Sequence, residues 1–159
     1  MSAIVNPSIF KFLNDLKQNN TREWFAKNKE YYQKEEDQIK DFFTDINEEL
    51  SAIDNIGSMK VYRIYRDIRF SKDKTPYKMS RSCGYKRATE ALRGGYHLEI
   101  TPGGSFLAAG FWQPNKEDLF RIRKEFEMDN SIIEDVLNTT NIKNTFVSFY
   151  TRNSLKVAP

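Results

Sequence analysis

Hydrophobic positions in the first third of the chain recur at the three- and four-residue spacing of a helix. The first group predicts a short helix that ends near Lys17; its members are Ile9, Phe12, Leu13 and Leu16. Asn20 and Glu23 have the spacing of a capping box, which predicts the start of a second helix. Apolar positions then continue to Ile53, so we expect one long helix with a jog near Asn28.

Hydrophobic and polar residues alternate from Val61 to Phe70 instead. Alternation places successive side chains on opposite faces and predicts a half-buried β-strand. Its core face would carry Tyr62, Ile64, Arg66, Ile68 and Phe70, and its other face Arg63, Tyr65, Asp67 and Arg69. Small, charged and proline residues from Ser71 to Pro76 predict a tight loop before Tyr77.

Three more strands complete the predicted sheet. Residues 79–87 have strand character, alternation at residues 96–100 predicts another strand, and residues 106–112 predict the last one. The Pro-Gly-Gly-Ser turn at residues 102–105 joins the last two strands in a hairpin. We therefore expect an antiparallel sheet of about four strands.

Helical spacing returns after the hairpin. A stripe from Leu119 to Phe126 predicts an amphipathic helix, Ile132 to Asn138 predicts a shorter one, and residues from Asn141 onward have aromatic, strand-like character. The fold class is therefore α+β, in which the antiparallel sheet packs with a long N-terminal helix and shorter C-terminal helices. A chain of 159 residues is the size of one domain, so we expect a single domain over residues 1–159.

Composition excludes several classes of protein. The single cysteine, Cys83, excludes an internal disulfide and a thiolate zinc site, and no nucleotide-binding glycine loop is present. We therefore expect neither a metal nor a cofactor. The first residues hold no apolar run of the length of a signal peptide or a membrane span, so we expect a cytoplasmic protein without membrane contact.

Positive charge is concentrated in one stretch, Val61 to Lys78. Its six Arg and Lys residues face two aspartates, a local charge of +4 in a chain of net charge +3. Because guanidinium groups match the geometry of carboxylates and phosphates, this stretch predicts a site for an anionic small ligand. The predicted ligand-binding residues are Arg63, Asp67, Arg69, Lys72, Lys74 and Tyr77, with Asp67 orienting the guanidinium groups and Tyr77 closing the rim.

Arg66 has a different predicted role because it lies on the core face of the predicted strand. A buried arginine without a carboxylate costs several kcal/mol. The long helix is strongly acidic, with nine carboxylates and three lysines between Lys29 and Asp54. We therefore expect a structural ion pair between Arg66 and an acid of that helix.

Candidates for catalysis are few. His97 is the only histidine and shares a strand face with Glu99, so it could act as a general base that Glu99 orients, or it could be a partly exposed sheet residue. Asp67 is the third candidate. Whether the protein is an enzyme is left open.

Three functions fit this sequence. The first is a pocket that binds a phosphate- or carboxylate-bearing small ligand, with or without catalysis. The second is a flat surface that binds single-stranded nucleic acid, a less favoured partner because the charge is divided between two faces. The third is an interaction or scaffold domain whose arginines are used in internal salt bridges.

The charged stretch also resembles a known family. Arg63-x-x-Arg66-Asp67-x-Arg69-Phe70, followed by Asp73-Lys74-x-x-Tyr77-Lys78, resembles the pattern that defines the bacterial domain of unknown function 2461. The resemblance extends to residues 12–25 and 94–112 and implies no particular activity. Members of that family look longer at the C-terminus, so we expect this chain, which stops at Leu155 to Pro159, to lack a C-terminal segment of the family domain.

Overall fold

A computed structural model of the protein describes residues 4–89 and 91–146. Contacts between Cα atoms group the chain into two compact units, residues 1–112 and residues 113–159. The expectation of a single domain over 1–159 stays a prediction. The expected C-terminal difference from the family, at Leu155 to Pro159, lies outside the described residues.

Three helices open the first unit: α1 (Ser8–Gln18), α2 (Arg22–Lys27) and α3 (Lys29–Ser51). The predicted jog is a break at Asn28, which is the C-cap of α2 and the N-cap of α3. The N-cap of α2 is Thr21 rather than Asn20, because the Thr21 side chain accepts a hydrogen bond from the amide of Trp24 at 3.2 Å.

Four antiparallel strands follow in the order β1 (Ile56–Val61), β2 (Arg81–Arg87), β3 (Gly95–Ile100) and β4 (Phe106–Gly110). Each strand pairs with the next along the chain. The predicted hairpin is confirmed as β3 and β4, and Gly103 in its turn has a φ of 72°, which favours glycine.

The inner face of the sheet, on the side of α3, forms the core with the helices. Fully or almost fully buried hydrophobic residues there are Ile9, Phe12, Leu13, Leu16, Phe25, Ile39, Phe43, Ile64, Cys83, Tyr85 and Ile100. Tyr85 also donates its hydroxyl hydrogen to the main-chain oxygen of Phe43 at 3.1 Å, which joins β2 to α3. Burial of each large apolar side chain contributes roughly 1.5–3 kcal/mol, so this layer supplies most of the stability of the unit.

A buried ion pair lies within this core. Arg81 of β2 is 1% exposed and Glu36 of α3 is 7% exposed. Arg81 donates from Nη2 to Glu36 Oε1 at 2.7 Å and from Nη1 to the main-chain oxygen of Tyr62 at 2.7 Å. Glu35, which is 2% exposed, accepts a hydrogen bond from the Ser8 hydroxyl at 2.6 Å. Arg81 therefore joins α3, β2 and the chain that leaves β1.

The predicted strand over residues 61–70 is wrong. Only Val61 belongs to a strand, and residues 62–80 form a long connection between β1 and β2, with one isolated bridge from Tyr65 to Tyr77. The predicted faces are also wrong, because Ile64 is fully buried whereas Phe70 is 96% exposed. We call residues 62–80 the β1–β2 connection.

Beyond Tyr62, whose amide donates to the main-chain oxygen of Ser82 in β2 at 2.9 Å, the β1–β2 connection pairs with itself. The amide of Arg66 donates to the main-chain oxygen of Pro76 at 2.9 Å, and that of Lys78 donates to the oxygen of Ile64 at 2.7 Å. Asn20 holds one arm, since its side chain donates to the main-chain oxygen of Tyr77 at 3.0 Å and accepts from its amide at 3.1 Å. Asn20 is therefore an anchor for this connection rather than a helix cap.

The Arg66 ion pair differs from the expected one. Its partner is Asp73, at 2.5 Å from Nη1, and not an acid of α3. Nη1 also donates to the hydroxyl and the main-chain oxygen of Thr75, the latter at 3.1 Å. The reason is local: Asp73 lies in the same connection and accepts hydrogen bonds from the Thr75 amide and hydroxyl, both at 2.9 Å, so it is already positioned beside Arg66.

The second unit contains α4 (Lys116–Met128), α5 (Ser131–Asn138) and α6 (Thr140–Thr145). Asn115 caps α4 by accepting a hydrogen bond from the Asp118 amide at 2.8 Å. The expected strand-like structure from Asn141 onward is wrong up to Thr145, because these residues belong to α6. Residues 147–150 lie outside the described residues.

The α+β fold is confirmed, with a four-stranded antiparallel sheet, a long N-terminal helix and shorter C-terminal helices. Among residues 4–89 and 91–146, no helix has both the length and the apolar character needed to cross a membrane.

The Arg81→Met variant should lose about 3–5 kcal/mol of unfolding free energy, because the buried Glu36 would lose the guanidinium at 2.7 Å and keep Lys40, whose half-exposed ammonium group is 3.6 Å away. Urea unfolding followed by circular dichroism measures the loss. The double variant Arg81→Met/Glu36→Leu should regain much of it, since no unpaired charge of the pair remains in the core.

Arg66→Met is the matched control, because it removes the same charge from a pair whose aspartate side chain is 56% exposed. Its loss should be much smaller than that of Arg81→Met. Equal losses for the two single variants would contradict the assignment of the structural role to Arg81.

Stability should depend on the ionisation of Asp73. Hydrogen bonds from the Thr75 amide and hydroxyl and from Arg66 lower the pKa of Asp73 from 3.8 to about 2. A lowered folded-state pKa contributes stability above the unfolded-state value, and this contribution disappears as the pH falls through the folded-state value. The melting temperature of the wild type should therefore exceed that of Asp73→Asn above about pH 4, and the difference should shrink towards about pH 2. A difference that is constant over this range would contradict the assignment.

Candidate functional site

The six residues predicted to bind an anion lie on the β1–β2 connection; they are Arg63, Asp67, Arg69, Lys72, Lys74 and Tyr77. All except Tyr77 are exposed. The hydrogen-bonding groups of several of them are engaged within the connection itself, which changes what they can offer a ligand.

Asp67 and Arg69 form a two-point ion pair. Arg69 donates from Nε to Asp67 Oδ1 at 2.9 Å and from Nη2 to Oδ2 at 2.6 Å. Hydrogen bonds from the Arg69 side chain and amide, together with the charge of Arg63, lower the pKa of Asp67. The pair orients the Arg69 guanidinium but occupies the fork that it would present to a ligand.

The two loop lysines differ. Lys74 donates from Nζ to the main-chain oxygen of Ile68 at 3.0 Å, so it closes the loop. Lys72 is exposed, and no hydrogen bond or ion pair of its side chain is formed among residues 4–89 and 91–146.

Tyr77 lies in the core rather than at the rim of a cleft. It is 5% exposed, and its ring stacks on that of Phe25 with centroids 4.0 Å apart and planes 12° apart. Burial raises the pKa of its hydroxyl. Tyr77 therefore anchors the β1–β2 connection to α2.

A second group of polar and aromatic side chains lies on the face of the sheet opposite to Arg81 and Tyr85. Strand pairing places Lys60 beside Gly84 and Gly84 beside His97, and it places Glu99 beside Phe106. We call this surface the outer face; it comprises Lys60, Tyr62, Lys78, Gly84, His97, Glu99 and Phe106. These residues are half-buried or exposed, in contrast to the inner face.

Tyr62 lies against β2 on the outer face. A Cβ atom at Gly84 would be 3.1 Å from the Tyr62 hydroxyl oxygen, so the glycine leaves room for the ring to lie against β2. Two ammonium groups lie over this ring, Lys60 Nζ at 5.5 Å and Lys78 Nζ at 5.6 Å from its centroid. Both distances are within the range of cation–π attraction.

Lys78 lies in a neighbourhood of positive charge. Partial burial and the charges of Arg81 and Arg63 lower the pKa of its ammonium group, while Glu99 acts in the opposite direction. An ammonium group with this environment gains from the approach of an anion, because the anion would offset the repulsion between the cations.

The structure brings His97 and Glu99 together. His97 Nε2 lies 3.8 Å from Glu99 Oε2, which is longer than a hydrogen bond, and Thr101 donates its hydroxyl hydrogen to Glu99 Oε1 at 3.3 Å. The His97 ring lies between those of Tyr62 and Phe106, with both centroid separations 5.8 Å. Asp67, the third candidate for catalysis, is engaged with Arg69 instead.

Sequence reasoning missed four outer-face residues: Lys60, Tyr62, Lys78 and Phe106. The incorrect strand placed Tyr62 in the core and left no reason to relate it to the hairpin. Gly84 was the available signal, because a glycine inside a strand often marks the close approach of another group. The structure pairs Phe106 with Glu99 across the hairpin, a register that the sequence analysis did not assign.

Among residues 4–89 and 91–146, no group of three or more His, Cys, Asp or Glu side chains is arranged to hold a metal ion. Comparisons with curated proteins and with solved structures give no match. The model of one protein family, described as a conserved hypothetical protein of domain of unknown function 2461, matches residues 8–159. The chain therefore belongs to this family, as the motif of the β1–β2 connection predicted.

Proposed function

We propose that the protein binds a small ligand bearing a phosphate or carboxylate group, and that the outer face is where the ligand binds. The observation that carries this proposal is the convergence of Lys60 and Lys78 on one tyrosine ring. The ligand class is the one that the sequence predicted, an anionic small molecule. The proposed binding surface is the outer face of the sheet instead of the Arg and Lys side chains of the β1–β2 connection.

Hydrogen-bonding capacity favours this location over the β1–β2 connection. Arg69 already donates to Asp67, and Lys74 already donates to the main-chain oxygen of Ile68. A ligand that bound these two side chains would have to displace those hydrogen bonds. Lys60 and Lys78 contact a ring face instead, and a phosphate or carboxylate oxygen is a stronger partner than a ring face for an ammonium group. A ligand could therefore bind them without loss of an internal ion pair.

The outer face also has groups that could move a proton. His97 lies beside Tyr62 and 3.8 Å from Glu99, so a small adjustment would let Glu99 orient the imidazole towards a ligand held by Lys78. Catalysis at this site would assign His97 the role of general acid or base. Binding is the primary proposal, and catalysis is its extension.

A scaffold function is the second candidate. It is favoured by the internal pairing of Arg66 with Asp73, Arg69 with Asp67 and Arg81 with Glu36. In that case the cations of the family motif shape the β1–β2 connection and the outer face has no ligand.

Isothermal titration with pyrophosphate and citrate tests the proposal. Lys78→Met should weaken binding of the better anion by about tenfold or more, because a charge-assisted hydrogen bond contributes about 1.5–3 kcal/mol. The variant keeps the main-chain bond from residue 78 to Ile64, so the connection should remain folded.

Lys34→Met is the matched control, since it removes the same charge from an exposed position on α3. It should bind the anion as the wild type does, at equal ionic strength. Equal weakening by the two variants would indicate a nonspecific effect of net charge, and no binding of either anion to the wild type would favour the scaffold function.

A further inference from the structure

We infer that the ligand of the outer face is a nucleotide, whose base stacks on Phe106 and His97 and whose phosphate binds at Lys78 and Lys60. This inference rests on the anion site proposed above and adds the chemical class of the rest of the ligand. The order of side chains across the sheet supports this assignment.

Three rings form a row on the outer face. Tyr62 follows β1, His97 lies on β3 and Phe106 on β4, and each ring centroid is 5.8 Å from the next. Phe106 ends the row and is 48% exposed, so one large part of its surface is available to another flat ring. Side chains of this kind on the face of an antiparallel sheet stack with bases in single-strand-binding proteins.

Two ammonium groups of the described residues lie at the opposite end of this row. Lys60 and Lys78 are placed over Tyr62, whereas Phe106 is paired with Glu99 and neighbours His97. A ligand that matches this order has a flat apolar ring at one end and an anion at the other. Inorganic phosphate or a simple dicarboxylate would leave Phe106 exposed to water.

Glu99 accounts for the middle of the ligand. Its carboxylate lies 3.8 Å from the middle ring of the row, His97; Glu99 is the strand partner of Phe106, and its charge raises the pKa of Lys78. A carboxylate would repel a second phosphate there but accepts hydrogen bonds from hydroxyl groups, as acidic residues do from the ribose of dinucleotides. A sugar between base and phosphate therefore fits the charge pattern better than a longer polyphosphate.

The test compares four compounds that share parts of a nucleotide, using isothermal titration and proton NMR. Adenosine monophosphate has base, sugar and phosphate, ribose 5-phosphate lacks the base, and adenosine lacks the phosphate. The fourth compound, a single-stranded oligoadenylate, presents the same parts within a polymer. We expect the monophosphate to bind about tenfold or more tightly than ribose 5-phosphate, with its base protons shifted upfield by the rings.

Phe106→Ala should remove this advantage of the monophosphate while leaving the binding of ribose 5-phosphate unchanged. Phe70→Ala is the matched control, because Phe70 is 96% exposed and lies on the β1–β2 connection. It should leave both affinities unchanged. Lys78→Met should weaken both phosphates.

Other outcomes separate the two levels of the proposal. If the monophosphate and ribose 5-phosphate bind equally and Lys78→Met weakens both, the assignment of a nucleotide ligand is wrong and the proposed anion-binding site is retained. No binding of either phosphate, or binding of adenosine as tight as that of the monophosphate, would overturn the anion site itself. Loss of monophosphate binding in Phe70→Ala equal to that in Phe106→Ala would overturn the assignment to the sheet.

The oligoadenylate distinguishes a free nucleotide from a nucleotide within a single-stranded nucleic acid. Affinity similar to that of the monophosphate, with a weak dependence on salt, assigns the site to free nucleotides. A much higher affinity that falls steeply with salt assigns it to nucleotides within a single strand, because each phosphate contact releases counterions. Either result upholds the stacked base if Phe106→Ala weakens it.

Discussion

The buried ion pair between Arg81 and Glu36 is the interaction on which the rest of the first unit depends. Two charges in a core lose their hydration, so the pair is stable only when both side chains and their further partners are correctly placed. Arg81 meets this requirement through Glu36 on α3 and through the main-chain oxygen of Tyr62. The same contact therefore sets the position of α3 on the sheet and the direction in which the chain leaves β1.

Burial beside Glu36 also raises the pKa of the Tyr32 hydroxyl, which keeps that group protonated.

This inner-face contact also positions the outer face. Tyr62 is held on both sides of its main chain, by Arg81 at its oxygen and by the oxygen of Ser82 at its amide, 2.9 Å away. At the other end of the connection, Asn20 and Phe25 hold Tyr77, which fixes the adjacent Lys78. The helices thus determine where Tyr62 and Lys78 meet, although they pack on the opposite side of the sheet.

Local patterns predicted the helices, the hairpin and the family, because each depends on residues close in sequence. They did not predict the β1–β2 connection, since alternation from Val61 to Phe70 is the same for a strand and for an extended arm that pairs with its own loop. The need of a buried arginine for a helix acid was correctly foreseen, but it applies to Arg81 rather than Arg66. Only the packing of α3 on β2 distinguishes the two arginines, and this packing is not encoded in any short stretch.

The number of cations in the family motif is a poor guide to where an anion would bind. Arg66 and Arg69 pair with aspartates of the same connection, and Lys74 donates to a main-chain oxygen, so these cations organise the loop that carries them. Lys78, the last cation of the motif, differs from these: like Lys60, which lies outside the motif, it contacts the ring of Tyr62, and within the described residues neither lysine forms an ion pair. A binding site needs charges that remain available after folding. The aspartates of the motif therefore engage Arg66 and Arg69 within the connection, whereas the ammonium groups of Lys60 and Lys78 lie against the Tyr62 ring, which is followed across the outer face by the rings of His97 and Phe106.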